Sequence, residues 1–290
     1  MSRIAYVNGR YLPHRHAHVH VEDRGYQFAD GVYEVIAVVD GALIDAAGHI
    51  QRLDRSLREL QIAWPVSPGV LPGLIREVAR RNHVHNGIVY LQITRGVARR
   101  DHAFPIGVKP ALVITARSQG ANHAAAKAGV GVITLPDQRW ARCDIKTVSL
   151  LPNILAKQQA REAGAYEAWQ VDDEGHVTEG SSSNAWIVTR NGEIVTRQSD
   201  NAILNGITRL AALALADSAQ MKVIHRPFSV EEAMAAREAF ITSATSYVIG
   251  VTSIDGHKIG DGRPGPVTTR LRELYLDRMA KEVARESARS

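Results

Sequence analysis

A single cysteine, Cys143, stands in the 290-residue sequence. No intramolecular disulfide can form, and nothing points to an oxidising compartment. No uninterrupted apolar run reaches the ~20 residues of a membrane-spanning helix. The opening Met1-Ser2-Arg3-Ile4 leads straight into a strand-like stretch without a signal-peptide core. A cytoplasmic protein with no membrane partner is therefore expected. Aromatic residues make up only 6%, and no basic stretch interleaves them as base stacking requires. That argues against a nucleic-acid partner, although the net charge is +5. Lysine is scarce: seven of the 35 basic side chains are Lys and 28 are Arg, so few amine nucleophiles are available. No Walker-type phosphate loop and no Gly-x-Ser-x-Gly elbow occurs. Gly260, Gly262 and Gly265 have dinucleotide-loop spacing. Pro264 and Pro266 stiffen that loop, however, and the chain ends too soon for a βαβ unit, so a plain turn is expected.

What is there is ordinary globular material, 45% hydrophobic and 22% charged, in a chain long enough to bury about three quarters of its unfolded surface. Two hairpins are signalled by Asn8-Gly9 between Ile4–Val7 and Arg10–Leu12, and by Asp40-Gly41 between Tyr33–Val39 and Ala42–Ile44. Apolar residues at helical spacing predict helices over His49–Ile62 and Val70–Arg81. Strands follow at Gly87–Thr94 and Ala111–Ala116. The polar, alanine-rich stretch 118–129 marks a domain boundary, giving a smaller N-terminal domain (1–120) and a larger C-terminal one (121–290). The second half predicts a strand at Gly131–Leu135, and helices at Pro152–Ala163, Gly206–Ala219 and Pro266–Ala284. Hairpin-like units surround Asp172–Gly175 and Asn191-Gly192, and strands fit Ala239–Thr242 and Tyr247–Val251. Hairpins mixed with helices predict an α+β fold.

Several residues have the chemistry of a site. Lys146 lies in Cys143-Asp144-Ile145-Lys146-Thr147-Val148, where largely apolar or small neighbours favour the neutral, nucleophilic amine; a lysine snorkelling to solvent is the bland alternative. Lys157 is the rival, on a helix that looks solvated. Glu179 precedes Gly180-Ser181-Ser182-Ser183-Asn184, a dense set of hydrogen-bonding groups that also reads as a polar turn. Asn205-Gly206-Ile207-Thr208-Arg209 opens a helix whose N–H groups suit a phosphate. Thr242-Ser243-Ala244-Thr245 adds donors between two strands. Arg52 could pair with phosphate or lie on the surface. Arg100 and His102, two apart in an extended segment, would point the same way and suit a carboxylate. His14, His16, His18 and His20 alternate, and on a strand would share one face. A metal site there is an alternative reading from another functional class.

In their order, these stretches resemble the fold-type IV aminotransferases that use pyridoxal 5′-phosphate, within them the D-amino-acid branch. The resemblance runs from Asp23-Arg24-Gly25-Tyr26-Gln27-Phe28-Ala29-Asp30-Gly31-Val32-Tyr33-Glu34-Val35 through His49–Leu53, Arg100–His102, Asp144–Lys146 and Thr178–Asn184 to Gly206–Arg209. It implies a two-domain α+β fold with the cofactor between the domains, and a homodimer. It implies a Schiff base from Lys146 to the cofactor. Glu179 would hydrogen-bond the ring nitrogen, and Ser182 and Asn184 would also bind the cofactor. Arg52, Gly206, Ile207, Thr208, Ser243 and Ala244 would hold the phosphate, Ala244 through its backbone because a hydroxyl residue is common there. Tyr33, Arg100 and His102 would take the substrate carboxylate, and the Arg-x-His pair marks D-amino-acid members. The implied reaction is ping-pong transamination of a D-alanine-like donor with a 2-oxo acid such as 2-oxoglutarate or pyruvate. An L-branched-chain or (R)-amine transaminase, or an enzyme similar to aminodeoxychorismate lyase, is the alternative on the same fold.

Overall fold

The computed structural model describes residues 3–120 and 123–288. The chain divides into two compact units. One comprises Met1–Gly120, Ile145–Ser149 and Lys281–Ser290; the other comprises Ala121–Asp144 and Leu150–Ala280. Lys146 thus groups with the N-terminal unit although it lies beyond the linear boundary.

The first unit holds β1 (Ile4–Val7), β2 (Arg10–Pro13), α1 (Arg24–Phe28), β3 (Gly31–Val39), β4 (Ala42–Leu43), α2 (Ala46–Glu59), α3 (Leu71–Arg81), β5 (Gly87–Thr94) and β6 (Ala111–Ser118). Its six strands form one sheet in the order β2-β1-β6-β5-β3-β4. Both predicted hairpins are present, and their turns have the positive φ that a type I′ turn demands: 45° and 91° at Asn8-Gly9, 47° and 84° at Asp40-Gly41. The apolar stripes of α2 (Leu53, Leu57) and α3 (Leu71, Ile75, Val78) pack against Val32, Ile36, Val89, Leu91 and Ile114 of the sheet. Ile145 enters the same core. The segment around it runs along the start of β3, where Tyr33 N donates to Lys146 O at 3.1 Å and Val148 N to Gly31 O at 3.0 Å.

The second unit holds α4 (His123–Ala128), β7 (Val130–Pro136), α5 (Leu151–Glu162), β8 (Glu167–Val171), β9 (Val177–Gly180), β10 (Asn184–Val188), β11 (Ile194–Thr196), α6 (Ile207–Ser218), β12 (Val223–His225), α7 (Val230–Met234), β13 (Glu238–Ser243), β14 (Tyr247–Ile254) and β15 (His257–Lys258). The last helix, α8 (Pro266–Ser287), belongs to this unit as far as Ala280 and to the first from Lys281. Nine strands form a sheet of order β12-β11-β10-β13-β14-β7-β8-β9, with β15 beside β14. Side chains alternate across it. On β10, Ala185 and Ile187 enter one core with Trp169, Val177 and Phe228. Trp186 and Val188 enter another with Ala212, Ala216 and Phe240. A strand covered on both faces has no polar side, which explains its continuous apolar run. No helix among the described residues is long and apolar enough to cross a membrane.

One expectation fails here. The histidine run is not a strand: His14–His16 form a 3-10 turn after Pro13, and the stretch to His20 has no regular structure. The shared face on which the metal reading depended does not exist, and the four histidines are exposed. The short α1, α4, α7 and β12 were not anticipated, since three to six residues carry little periodic signal.

Candidate active site

In the first unit, β3 displays its residues alternately. Val32, Glu34 and Ile36 face the core and are fully buried, while Tyr33 faces away. Lys146 is held by its backbone: its carbonyl accepts from Tyr33 N, and its own N–H reaches Ser56 Oγ at 3.3 Å. Its ammonium lies 4.2 Å from the centre of the Tyr33 ring, a contact favourable to a cation. Tyr33 in turn meets Tyr90, with ring centroids 5.7 Å apart. Burial pushes the Tyr90 hydroxyl up to about 12. Lys146 and Tyr33, predicted from separate motifs, are thus brought together.

Glu34 is a carboxylate on an apolar face, and α2 supplies its partners. His49 and Arg52, three apart and so on one side of the helix, both reach it. His49 Nδ1 lies 2.7 Å from Glu34 Oε2. Arg52 donates from Nε to Oε1 at 2.8 Å and from Nη2 to Oε2 at 2.7 Å. Burial alone would raise the Glu34 pKa; the Arg52 charge and the hydrogen bonds from Arg52 and His49 overcome it and hold the group at about 2. Arg52 was expected to meet a phosphate; the partner the structure gives it is Glu34. Glu34 was not assigned a role, although a charge at an inward position between Val32 and Ile36 is a legible sign of a buried ion pair.

Arg100 and His102 meet at Phe28. The guanidinium lies 4.5 Å from the Phe28 ring centre and the imidazole 5.6 Å from it, and both side chains are exposed. Arg24 fixes their loop, donating from Nη1 to Asp101 O at 2.6 Å and from Nε to Asp30 Oδ2 at 2.8 Å. Arg95 donates to the same carboxylate.

In the second unit, Glu179 lies in β9 and is buried. Its carboxylate accepts from Arg139 Nη1, from Asn184 Nδ2 at 2.9 Å and from Leu204 N at 3.1 Å. Asn184 also donates to Leu204 O at 2.8 Å. Arg139 was missed by sequence reasoning. It is 5% exposed and also donates to Asp137 Oδ2 at 2.6 Å and Ala202 O at 2.9 Å. Burial opposes its charge, yet Glu179 and Asp137 hold its pKa above the usual arginine value. Only Asp137-x-Arg139 hinted at it, and such pairs are common on surfaces.

Gly206 precedes α6 and no side chain caps that helix. A Cβ on Gly206 would lie 2.1 Å from Asn184 Oδ1, so this close approach requires glycine. Ile207 and Thr208 are buried in the first turn. Ser182 and Ser243 line a common cleft of about 620 Å³ with Lys157, Glu167 and Thr245. Ser182 donates to the buried Glu167 at 2.8 Å, as do Ser181 and, at 3.0 Å, Ser183. Lys157 also pairs with Glu167, at 3.6 Å. Ala244 lies in the β13–β14 turn, where Ser246 N donates to Ser243 Oγ at 3.2 Å.

The family described as amino-transferase class IV matches residues 31–254. The chain is 40% identical to a D-alanine aminotransferase of Bacillus licheniformis over 96% of its own length and 98% of that protein's. It is 39% identical to a D-alanine aminotransferase of Staphylococcus haemolyticus, covering 93% and 95%. A solved branched-chain amino acid aminotransferase from Escherichia coli superposes with a TM-score of 0.87 at 25% identity, covering 95% of this chain and 94% of that one.

Proposed function

Because the chain belongs to the class IV aminotransferases, we propose that it transfers the amino group of a D-amino acid to a 2-oxo acid, with pyridoxal 5′-phosphate as cofactor. The observation that carries this reading is the setting of Lys146. Its backbone is pinned to β3 and its amine is placed over Tyr33, in a chain similar over nearly its whole length to D-alanine aminotransferases.

The residues present fit the cofactor. The first unit offers an amine for an aldehyde and a guanidinium for a phosphate, Lys146 and Arg52. The second offers a carboxylate fixed by three donors, Glu179, and an uncapped helix start beside a glycine that admits no Cβ. When bound, pyridoxal phosphate supplies the aldehyde that condenses with amines and the ring that withdraws electrons from the substrate Cα–H bond.

The chain's own residues do the rest. Lys146 would hold the cofactor through its amine, and its Nζ would be the base that takes the substrate Cα proton. Glu179 would accept a hydrogen bond from the ring nitrogen, and Asn184, which donates to it at 2.9 Å, would keep that carboxylate aimed. In the second unit, the N–H groups of Ile207 and Thr208, with Gly206, Ser243 and the Ala244 backbone, would hold the phosphate; the resemblance gives Arg52 of the first unit a phosphate role as well. Ser182 fixes the adjoining turn through Glu167. Tyr33, Arg100 and His102 bind the substrate carboxylate. The same resemblance leads us to read the protein as a cytoplasmic homodimer, with pyruvate or 2-oxoglutarate as acceptor.

The test is the absorbance of the purified protein before and after D-alanine, without acceptor. A visible band that D-alanine discharges and L-alanine does not is expected, and it is absent from Lys146→Ala. A band discharged by L-leucine or an (R)-amine but not by D-alanine overturns the D-amino-acid assignment. Light scattering giving the mass of one chain overturns the dimer.

A further inference from the structure

Arg209 takes none of the roles above, yet it is 2% exposed, the third residue of α6. Its side chain runs back toward the start of the helix. Nη1 donates to Asn205 Oδ1 at 3.1 Å and Nη2 to Arg197 O at 2.7 Å, while Nε is buried without a partner. No ion pair reaches this guanidinium among the described residues. Its neighbours are differently placed. Arg139 has Glu179 and Asp137; Arg197 has Asp172 and Asp200. Those two arginines are held above the ordinary arginine pKa. Arg209 is shifted the other way, because burial outweighs the pull of Glu179 and Asp200.

A buried guanidinium with no contacting carboxylate is costly; its two hydrogen bonds and the Trp186 ring 5.7 Å away offset part of that cost, and an anion arriving by binding would offset more. Two features fix where that charge belongs. The first-turn N–H groups of α6 have no side-chain cap, so a helix start with its partial positive charge is open to an anion. Arg209 lies within that same turn, with Nη1 at the residue before the cap.

We propose that Arg209 is a positioning residue for the cofactor phosphate: a buried cation whose counter-charge is the phosphate dianion held at the start of α6. It acts on affinity and not on the reacting atoms. This rests on the pyridoxal-phosphate reading above, and it separates the phosphate from the rest of the cofactor.

The experiment compares the wild-type chain with Arg209→Met and Arg209→Lys, each stripped of cofactor. Visible-band titrations measure affinity for pyridoxal 5′-phosphate and for pyridoxal, which lacks the phosphate. Thermal unfolding with inorganic phosphate gives an independent reading. Arg209→Met should lose about tenfold to a hundredfold in affinity for the phosphorylated form, the scale of a partly screened buried charge pair. Its affinity for pyridoxal should not change, and phosphate should no longer raise its Tm. Arg209→Lys should keep most of the phosphate-dependent affinity. Equal losses for pyridoxal and its phosphate would make Arg209 merely structural and overturn the proposal, as would unchanged affinity for both. Should Arg209→Met not fold, Arg209→Gln repeats the comparison without the charge. A wild-type chain that takes up neither form overturns the cofactor reading, and this proposal with it.

Discussion

Arg52 lays its guanidinium across both oxygens of Glu34, at 2.8 and 2.7 Å. The helix residue predicted to hold a phosphate is therefore itself held by a buried strand residue, and its fork is fixed before any ligand arrives. Glu34→Gln breaks this pair and removes its carboxylate charge. An unfolding free energy lower by about 3 kcal/mol is expected, together with weaker cofactor retention. Urea titration and the visible band measure the two.

The same carboxylate gives a pH signature. Its folded pKa is about 2 against an ordinary 4.5, so it is a depressed acid. Its contribution is fully present above about 4.5 and is lost as pH falls through about 2. The stability difference between wild type and Glu34→Gln should therefore shrink by roughly 3 kcal/mol across that window. A difference that stays constant from neutral pH to pH 2 would show that Glu34 is not held ionised by Arg52 and His49.

Arg139→Met removes the partner of two carboxylates, the buried Glu179 and the half-buried Asp137. A loss of about 3 kcal/mol in stability is expected. If Glu179 serves the ring nitrogen, kcat should fall more than KM rises, because the aim of the carboxylate is lost while the substrate contacts remain. Steady-state kinetics with D-alanine check this split.

Gly206→Ala places a Cβ 2.1 Å from Asn184 Oδ1. Asn184 cannot move freely, since it donates to Glu179 and to Leu204 O. A destabilisation of about 1–3 kcal/mol from overpacking is expected, with a faster loss of cofactor on dialysis. Normal stability and retention would mean that the α6 start shifts without consequence.

Arg100→Ala should leave folding untouched, to within about 0.5 kcal/mol, because the side chain is exposed and rests on Phe28. The KM for D-alanine should rise about tenfold or more, the scale of a charged hydrogen bond. A donor lacking a carboxylate should be unaffected. Equal effects on both donors would remove Arg100 from the carboxylate role.

Some of this was fixed by local preference and is readable residue by residue. Asn8-Gly9 and Asp40-Gly41 turn where they do because few other pairs accept two positive φ angles in succession. The span Gly87–Thr94 reads as a strand and is one, and the paired stripes of α2 and α3 follow from apolar spacing alone. The order of the motifs was legible too, and with it the family.

What the linear order hides is the pairing of distant polar groups. Lys146 joins the first unit because its backbone bonds to Tyr33. Arg139 finds Glu179 forty positions away, and Arg209 is left without a carboxylate because Arg197 and Arg139 have taken those nearby. The histidine alternation misled for the same reason, since a shared face requires a strand that the chain does not form there. Turn and helix signals depend on each residue's own φ, ψ and spacing. A buried charge depends on which groups the completed fold brings within reach, and only the tertiary structure decides that.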